Sequence, residues 1–110
     1  KDIVQAMNKD SGVYLTSLKV DGGMVANKLL MQFQADLLGV PVIRPKVIET
    51  TSLGAAYAAG IASGFWSGRE ELYTNWIEDF RWIPNMEPQL REAKYRKWHM
   101  AVERTFGWEE

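Results

Sequence analysis

Leu18-Lys19-Val20-Asp21-Gly22-Gly23-Met24-Val25-Ala26-Asn27-Lys28 decides the fold class of this chain. An apolar strand runs into Asp-Gly-Gly, and a helical pattern begins at once. A strand feeding a glycine pair at a helix N-terminus is a common way to hold a phosphate. Missing side chains let the anion approach the backbone, and unpaired first-turn N–H groups point at it. The helix dipole adds to the attraction.

Outward from this stretch, the pattern predicts a helix from Met24 to Leu38. Ala26, Leu30, Phe33 and Leu37 form its apolar stripe, and Gly39 ends it. Val40-Pro41-Val42-Ile43-Arg44 reads as a second short strand, with residues 15–20 as the first. Strand, helix and strand with short joints make a βαβ unit, whose strands are parallel and whose crossover is right-handed. Asp-Gly also occurs in hairpins, but here the helical period follows it rather than an alternating strand.

Residues 2–9 read as a helix carrying Ile3, Val4 and Met7 on one face, stopped at Ser11-Gly12. Downstream, Glu49-Thr50-Thr51-Ser52 reads as a loop ending in an N-cap. A helix of small residues follows, Leu53 to Ala62. The three glycines and five alanines of residues 53–64 weaken an isolated helix. They make sense where another backbone or a ligand comes very close. Residues 65–83 are aromatic and irregular, with a short helix near Arg69–Tyr73. Pro84 and Pro88 precede a last helix from about Gln89 to Phe106, with Tyr95, Trp98, Val102 and Phe106 as its stripe and Gly107 as its cap.

The chain has 110 residues, the size of one small domain, and is 46% hydrophobic, enough for a core. Its formal net charge is −1 with both signs dispersed. No basic stripe tracks a phosphate backbone, which argues against a nucleic-acid partner. With no cysteine and a single histidine, His99, no Cys/His metal site can form, although a carboxylate–phosphate magnesium site can. The cysteine count fits a reducing compartment, so a cytoplasmic location is expected. No signal peptide is visible, and the most apolar run, Leu53 to Trp66, falls short of the about 20 residues of a membrane span. The chain opens on Lys1 rather than Met, and is expected to be a piece of a longer protein.

Several residues are candidates for chemistry, each with a plainer alternative. Gly22 and Gly23 make either a phosphate turn or a tight strand-to-helix turn. The pattern is neither a Rossmann fingerprint, since its third glycine is missing, nor a Walker loop. Asn27, four residues past Gly23 and above it on the predicted helix, either offers its amide to a base edge or ribose or is an exposed helix residue. Asp21 and Glu49 are acids near the site, suited to turn or capping roles as well as to chemistry. The five tryptophans read as core or interface anchors. His99 reads as a flank residue without an evident partner, so no Ser/His/Asp set exists. The chain looks like half a site.

The segment from Val20 to Gln32 resembles the nucleotide-binding segment of glycerol kinases, in the carbohydrate-kinase family with the actin/hexokinase-like (ribonuclease H-like) ATPase fold. Gln34 to Val42, Glu49 to Gly60, Tyr95 to Trp98 and Ala101 to Arg104 continue the resemblance, which weakens around residues 66–90. Asp-Gly-Gly together with Glu-Thr-Thr-Ser favours glycerol kinases over relatives acting on xylulose, ribulose or gluconate.

The resemblance implies that residues 1–110 are the C-terminal portion of the nucleotide-binding domain of a larger two-domain kinase. The family's phosphate-contacting glycine falls on Gly23, with Gly22 beside it, and its adenine-side asparagine falls on Asn27. The Gly54-Ala55-Ala56 helix would pack behind the adenosine pocket. The implied cofactors are ATP/ADP and magnesium; the implied partners are the N-terminal domain, glycerol as substrate and further copies of the enzyme in a homo-oligomer. The catalytic aspartate and the glycerol-binding residues match nothing here and are expected upstream of Lys1. Some bacterial members are inhibited by a sugar-transport phosphocarrier protein docking near this region, but Pro84 to Tyr95 does not match that docking segment. A second reading makes residues 65–83 and the last helix a non-catalytic interaction module.

Overall fold

A computed structural model describes residues 1–107. In chain order they form α1 (Asp2–Ser11), β1 (Leu18–Lys19), a 3-10 turn (Gly23–Ala26), α2 (Lys28–Leu38), β2 (Val42–Pro45), α3 (Thr50–Ala62), α4 (Arg69–Leu72), a second 3-10 turn (Tyr73–Asn75), β3 (Glu78–Trp82) and α5 (Pro88–Glu103).

The expected parallel pairing is present. Leu18 lies opposite Val42 and Lys19 opposite Ile43, and the flanking bonds Leu18 N–H to Pro41 O and Val20 N–H to Ile43 O measure 2.8 and 3.0 Å. The first strand is shorter than residues 15–20, because Leu15 N–H turns back to the Asn8 side chain at 3.1 Å instead of joining the ladder. β2 is the middle strand, and β3 runs antiparallel along its other side, Val42 facing Trp82 and Arg44 facing Phe80.

β3 lies inside the stretch read as irregular. Its Glu-Asp-Phe-Arg-Trp sequence is exposed except for Trp82. An edge strand carrying charges guards its open side against further pairing, and that polarity hides its period.

The predicted helix Met24–Leu38 divides in two. Asn27 is extended (φ −79°, ψ 95°) and caps α2, so Gly23–Ala26 form a separate 3-10 turn. The expected stripe is corrected with it. Ala26 falls outside α2, and Met31, Ala35 and Asp36 are the buried positions. Met31 and Ala35 join Val25, Val42 and Trp82 in the core, with Leu18, Val20, Leu30 and Ile48 packed around them. Phe33 and Leu37 look elsewhere, into a cleft of about 250 Å³ shared with Tyr95 and Trp98. Gly39 ends α2 as expected, with φ 75° and its N–H on Ala35 O at 2.8 Å.

Two other ends differ from expectation. α3 starts at Thr50, with Glu49 at the cap position, and Ser52 Oγ bonds back to Glu49 O at 3.0 Å rather than capping. α5 ends at Glu103, where the Thr105 and Phe106 N–H groups tighten the last turn onto the Val102 and Glu103 carbonyls. Gly107, with φ 66°, lies beyond that turn rather than capping the helix.

Buried Asp36 of α2 fastens the loop between β3 and α5 to that helix. Its Oδ1 accepts from Gln32 Nε2 (3.0 Å), Asn85 N–H (2.8 Å) and Met86 N–H (3.3 Å). Gln32 Nε2 also donates to Ile83 O at 2.9 Å. The first and last helices meet through Asp2, whose carboxylate accepts from the Tyr95 hydroxyl and from Trp98 Nε1, the latter at 2.8 Å. His99 Nε2 lies 3.1 Å from the same carboxylate, so the histidine has a partner after all. Bonds from Tyr95 and Trp98 hold the Asp2 carboxyl below its usual range. The same contact with Asp2 pushes the Tyr95 phenol up to about 12.

The shape is extended. A compact chain of this length has a radius of gyration of about 13 Å; here it is 18.3 Å. The accessible surface is 8495 Å², against roughly 6,200 Å² for a compact monomer of this mass. α3 buries none of its residues although it is apolar on all sides. No helix among the described residues is long and apolar enough to cross a membrane.

Candidate functional site

The Asp21-Gly22-Gly23 corner is built by contacts from four directions. Gly22 has φ 80° and ψ 177°, a conformation open essentially to glycine alone. Its N–H donates to Ile48 O at 2.8 Å, and its carbonyl accepts from Val25 N–H at 3.2 Å. Asp21 accepts a hydrogen bond from the Thr50 hydroxyl, tying the turn to the first residue of α3. Arg44 reaches across from β2, its Nη1 on Val25 O at 3.1 Å.

Gly23 faces open space: a Cβ built there meets no heavy atom within 4 Å. The local requirement therefore falls on Gly22 for conformation, while Gly23 leaves room beside an exposed backbone. Open room and the first N–H groups of a turn suit a phosphate.

The expected stacking of Asn27 above Gly23 on one helix is corrected. The two residues stand on separate elements, because Asn27 is the N-cap of α2, its Oδ1 accepting from Leu30 N–H at 3.0 Å. The cap uses the side-chain acceptor and leaves the Nδ2 amide as the group to offer a ligand. Asp21 and Glu49 come to one corner through Thr50, and there Asp21 serves as an acceptor that fixes the turn. A small cleft of about 130 Å³ borders this corner, lined by Lys19, Asp21, Thr50 and Trp76 among others. Lys19 Nζ stands 4.0 Å above the Trp76 ring.

Sequence reasoning missed Arg44 and Thr50. The signal for Arg44 was present: a charge inside an apolar strand needs a buried partner. The small-residue helix is approached at one glycine only. Trp66 lies on Gly60, where a Cβ would sit 2.3 Å from the ring, whereas Gly54 is open. Of the tryptophans, Trp82 is in the core, Trp66 and Trp98 make the contacts described, and Trp108 lies outside the described residues.

With this geometry the chain belongs to the FGGY family of carbohydrate kinases: residues 1–63 match that family's C-terminal domain. The fold is accordingly α/β, of the actin/hexokinase-like class. Within the family, the chain is 63% identical over its full length to a glycerol kinase of Saccharopolyspora erythraea and 64% identical to one of Chloroflexus aurantiacus. It spans 22% of the length of each of these relatives. Among solved structures it resembles a Plasmodium falciparum glycerol kinase with ADP, with TM-score 0.80 and 35% identity over 94% of this chain and 21% of that one. A gluconate kinase from Lactobacillus acidophilus matches at TM-score 0.67 and 22% identity over 91% of this chain and 20% of that one, a likeness of fold.

Proposed function

We propose that this chain is the C-terminal portion of the nucleotide-binding domain of a two-domain, ATP-dependent kinase that phosphorylates glycerol to glycerol 3-phosphate. The observation that carries the reading is the full-length identity of 63–64% to glycerol kinases. The neighbour solved with ADP supports a nucleotide as the ligand. The solved xylulose and gluconate kinases of Lactobacillus acidophilus, at 21% and 22% identity, share the fold alone. The uncovered apolar surface of α3 suits a chain completed by further protein.

In this reading the open backbone at Gly23, beside Gly22, receives a nucleotide phosphate, and Asn27 offers its amide to the adenosine end. The share of these residues in the reaction is to bind and orient ATP/ADP. With the N-terminal domain closed over them, water is kept from the transfer. The base that takes the glycerol proton and the groups that hold glycerol belong to the N-terminal domain. Among the described residues no three His, Cys, Asp or Glu side chains converge on a metal site. Magnesium, which shields phosphate charge in such transfers, would arrive with the nucleotide, needing no more than one or two protein carboxylates beside the phosphates. The enzyme is proposed to act in the cytoplasm as a homo-oligomer.

The test is a coupled assay of glycerol-dependent ADP formation by the full-length enzyme, run beside the isolated 110-residue chain. The full-length enzyme turns over glycerol and the isolated chain does not. Turnover by the isolated chain, abolished by a point change within it, would refute the division of labour. A full-length enzyme that ignores glycerol and phosphorylates a sugar would refute the substrate.

A further inference from the structure

Arg44 stands on the middle strand with 19% of its side chain exposed. Its guanidinium faces two elements, the 3-10 turn and β3. Nη1 donates to the Val25 carbonyl at 3.1 Å. Nε and Nη2 both reach Asp79 Oδ2 on β3, at 2.8 and 2.5 Å. The guanidinium carbon also lies 5.4 Å from the centre of the Trp82 ring. Val25 is the buried residue of the turn that begins at Gly23. A donor on its carbonyl fixes a peptide plane two residues from the open glycine. The forked geometry of Arg, which Lys lacks, lets one side chain serve both directions.

We propose that Arg44 is a positioning residue for nucleotide binding: it holds the Gly22-Gly23 turn in its phosphate-receiving shape through the Val25 carbonyl, and Asp79 sets the direction of its fork. This rests on reading that turn as a nucleotide contact. It makes β3, a strand with no residue at the turn, part of the nucleotide machinery.

The alternative is that Arg44 acts only as a positive charge near the phosphates, and Asp79 separates the two. If charge alone mattered, Asp79→Asn would uncover it and tighten ADP binding. If orientation matters, the same change loosens the fork and weakens binding.

The experiment is calorimetry of ADP, and separately of glycerol, against the full-length enzyme. Arg44→Met removes a charge-assisted bond and is expected to raise the ADP Kd about tenfold. Asp79→Asn is expected to raise it about threefold, and Arg44→Lys to fall between wild type and Arg44→Met. The glycerol Kd stays within about twofold throughout, as for a site on the other domain. Ile43→Val, on the same strand, lowers thermal stability without moving the ADP Kd, which separates positioning from general loosening. Should Arg44→Met fail to fold, Asp79→Asn, whose side chain is 40% exposed, carries the test. An unchanged ADP Kd in Arg44→Met, or tighter ADP binding in Asp79→Asn, would overturn the proposal. ADP binding needs no acceptor, so an enzyme that binds ADP normally but ignores glycerol would overturn the substrate and leave Arg44 standing.

Discussion

Asn27 joins stability and binding in one side chain, and substitutions can take the two apart. Its Oδ1 caps the third amide of α2, Leu30 N–H, at 3.0 Å. Replacing a capping Asn by Ala costs about 1 kcal/mol of stability, whereas Ser keeps an acceptor and ranks with Asn at this position. The Nδ2 amide is the group proposed to meet the nucleotide, and one such bond is worth about 0.5–1.5 kcal/mol net. That corresponds to a rise in ADP Kd of about twofold to tenfold. Asn27→Ala is therefore expected to lose both, and Asn27→Ser to lose affinity while melting close to wild type. Asn27→Asp keeps the cap and loses the amide donor, so it too is expected to lose affinity while melting close to wild type. Thermal melts of the full-length enzyme read the first effect, and calorimetry with ADP and with glycerol reads the second. An Asn27→Ser enzyme that binds ADP as tightly as wild type would reduce Asn27 to a cap. An Asn27→Ala enzyme with unchanged stability would remove the cap itself.

Gly22→Ala forces a side chain into a conformation that costs on the order of 1–3 kcal/mol; either the turn moves and ADP binding weakens, or stability falls by that amount, and a variant matching wild type in both would contradict the turn geometry. Gly60→Ala places a Cβ 2.3 Å from the Trp66 ring and is expected to destabilise by about 1–3 kcal/mol, whereas Gly54→Ala, in open space, should be neutral or stabilise by roughly 0.4–1 kcal/mol; denaturant melts showing the reverse order would refute the packing of α3. The Asp2 carboxyl is held low, mainly by its bond from Tyr95. Its contribution to the α1–α5 contact is present above the unfolded carboxyl pKa and is lost as pH falls through the folded value, which proteolysis near α1 at acid pH would report. The Tyr95 phenol is raised to about 12 by the same contact. Its share is full below the ordinary tyrosine value and lost as pH rises toward that raised one, so an ultraviolet titration with every tyrosine ionising near 10 would contradict it.

The βαβ unit was legible because its signals are local. Apolar runs at Leu18–Val20 and Val42–Ile43, helical spacing between them and Gly39 as a stop act over a few residues, and the parallel register of Leu18 with Val42 follows from their short connections. The glycine pair was legible for the same reason, since Asp-Gly-Gly between a strand and a helical pattern is a local turn signal, while the positive φ at Gly22 is read from the structure. β3 was not legible, because an exposed edge strand carries charges and takes its hydrogen bonds from β2, a partner distant in the chain. Nor was the break at Asn27: whether the helix starts at residue 24 or 28 depends on the Val25 side chain entering the core and on Arg44 holding the Val25 carbonyl. The division of the α2 stripe between sheet and cleft likewise depends on where β3 and α5 lie. Periodicity and local stop signals within the sequence determined the two parallel strands and the long helices, apart from their ends. The direction each face looks, and the partners that aim Gly23, Asn27 and Arg44, were decided by contacts between distant residues, whose identity no local pattern carries.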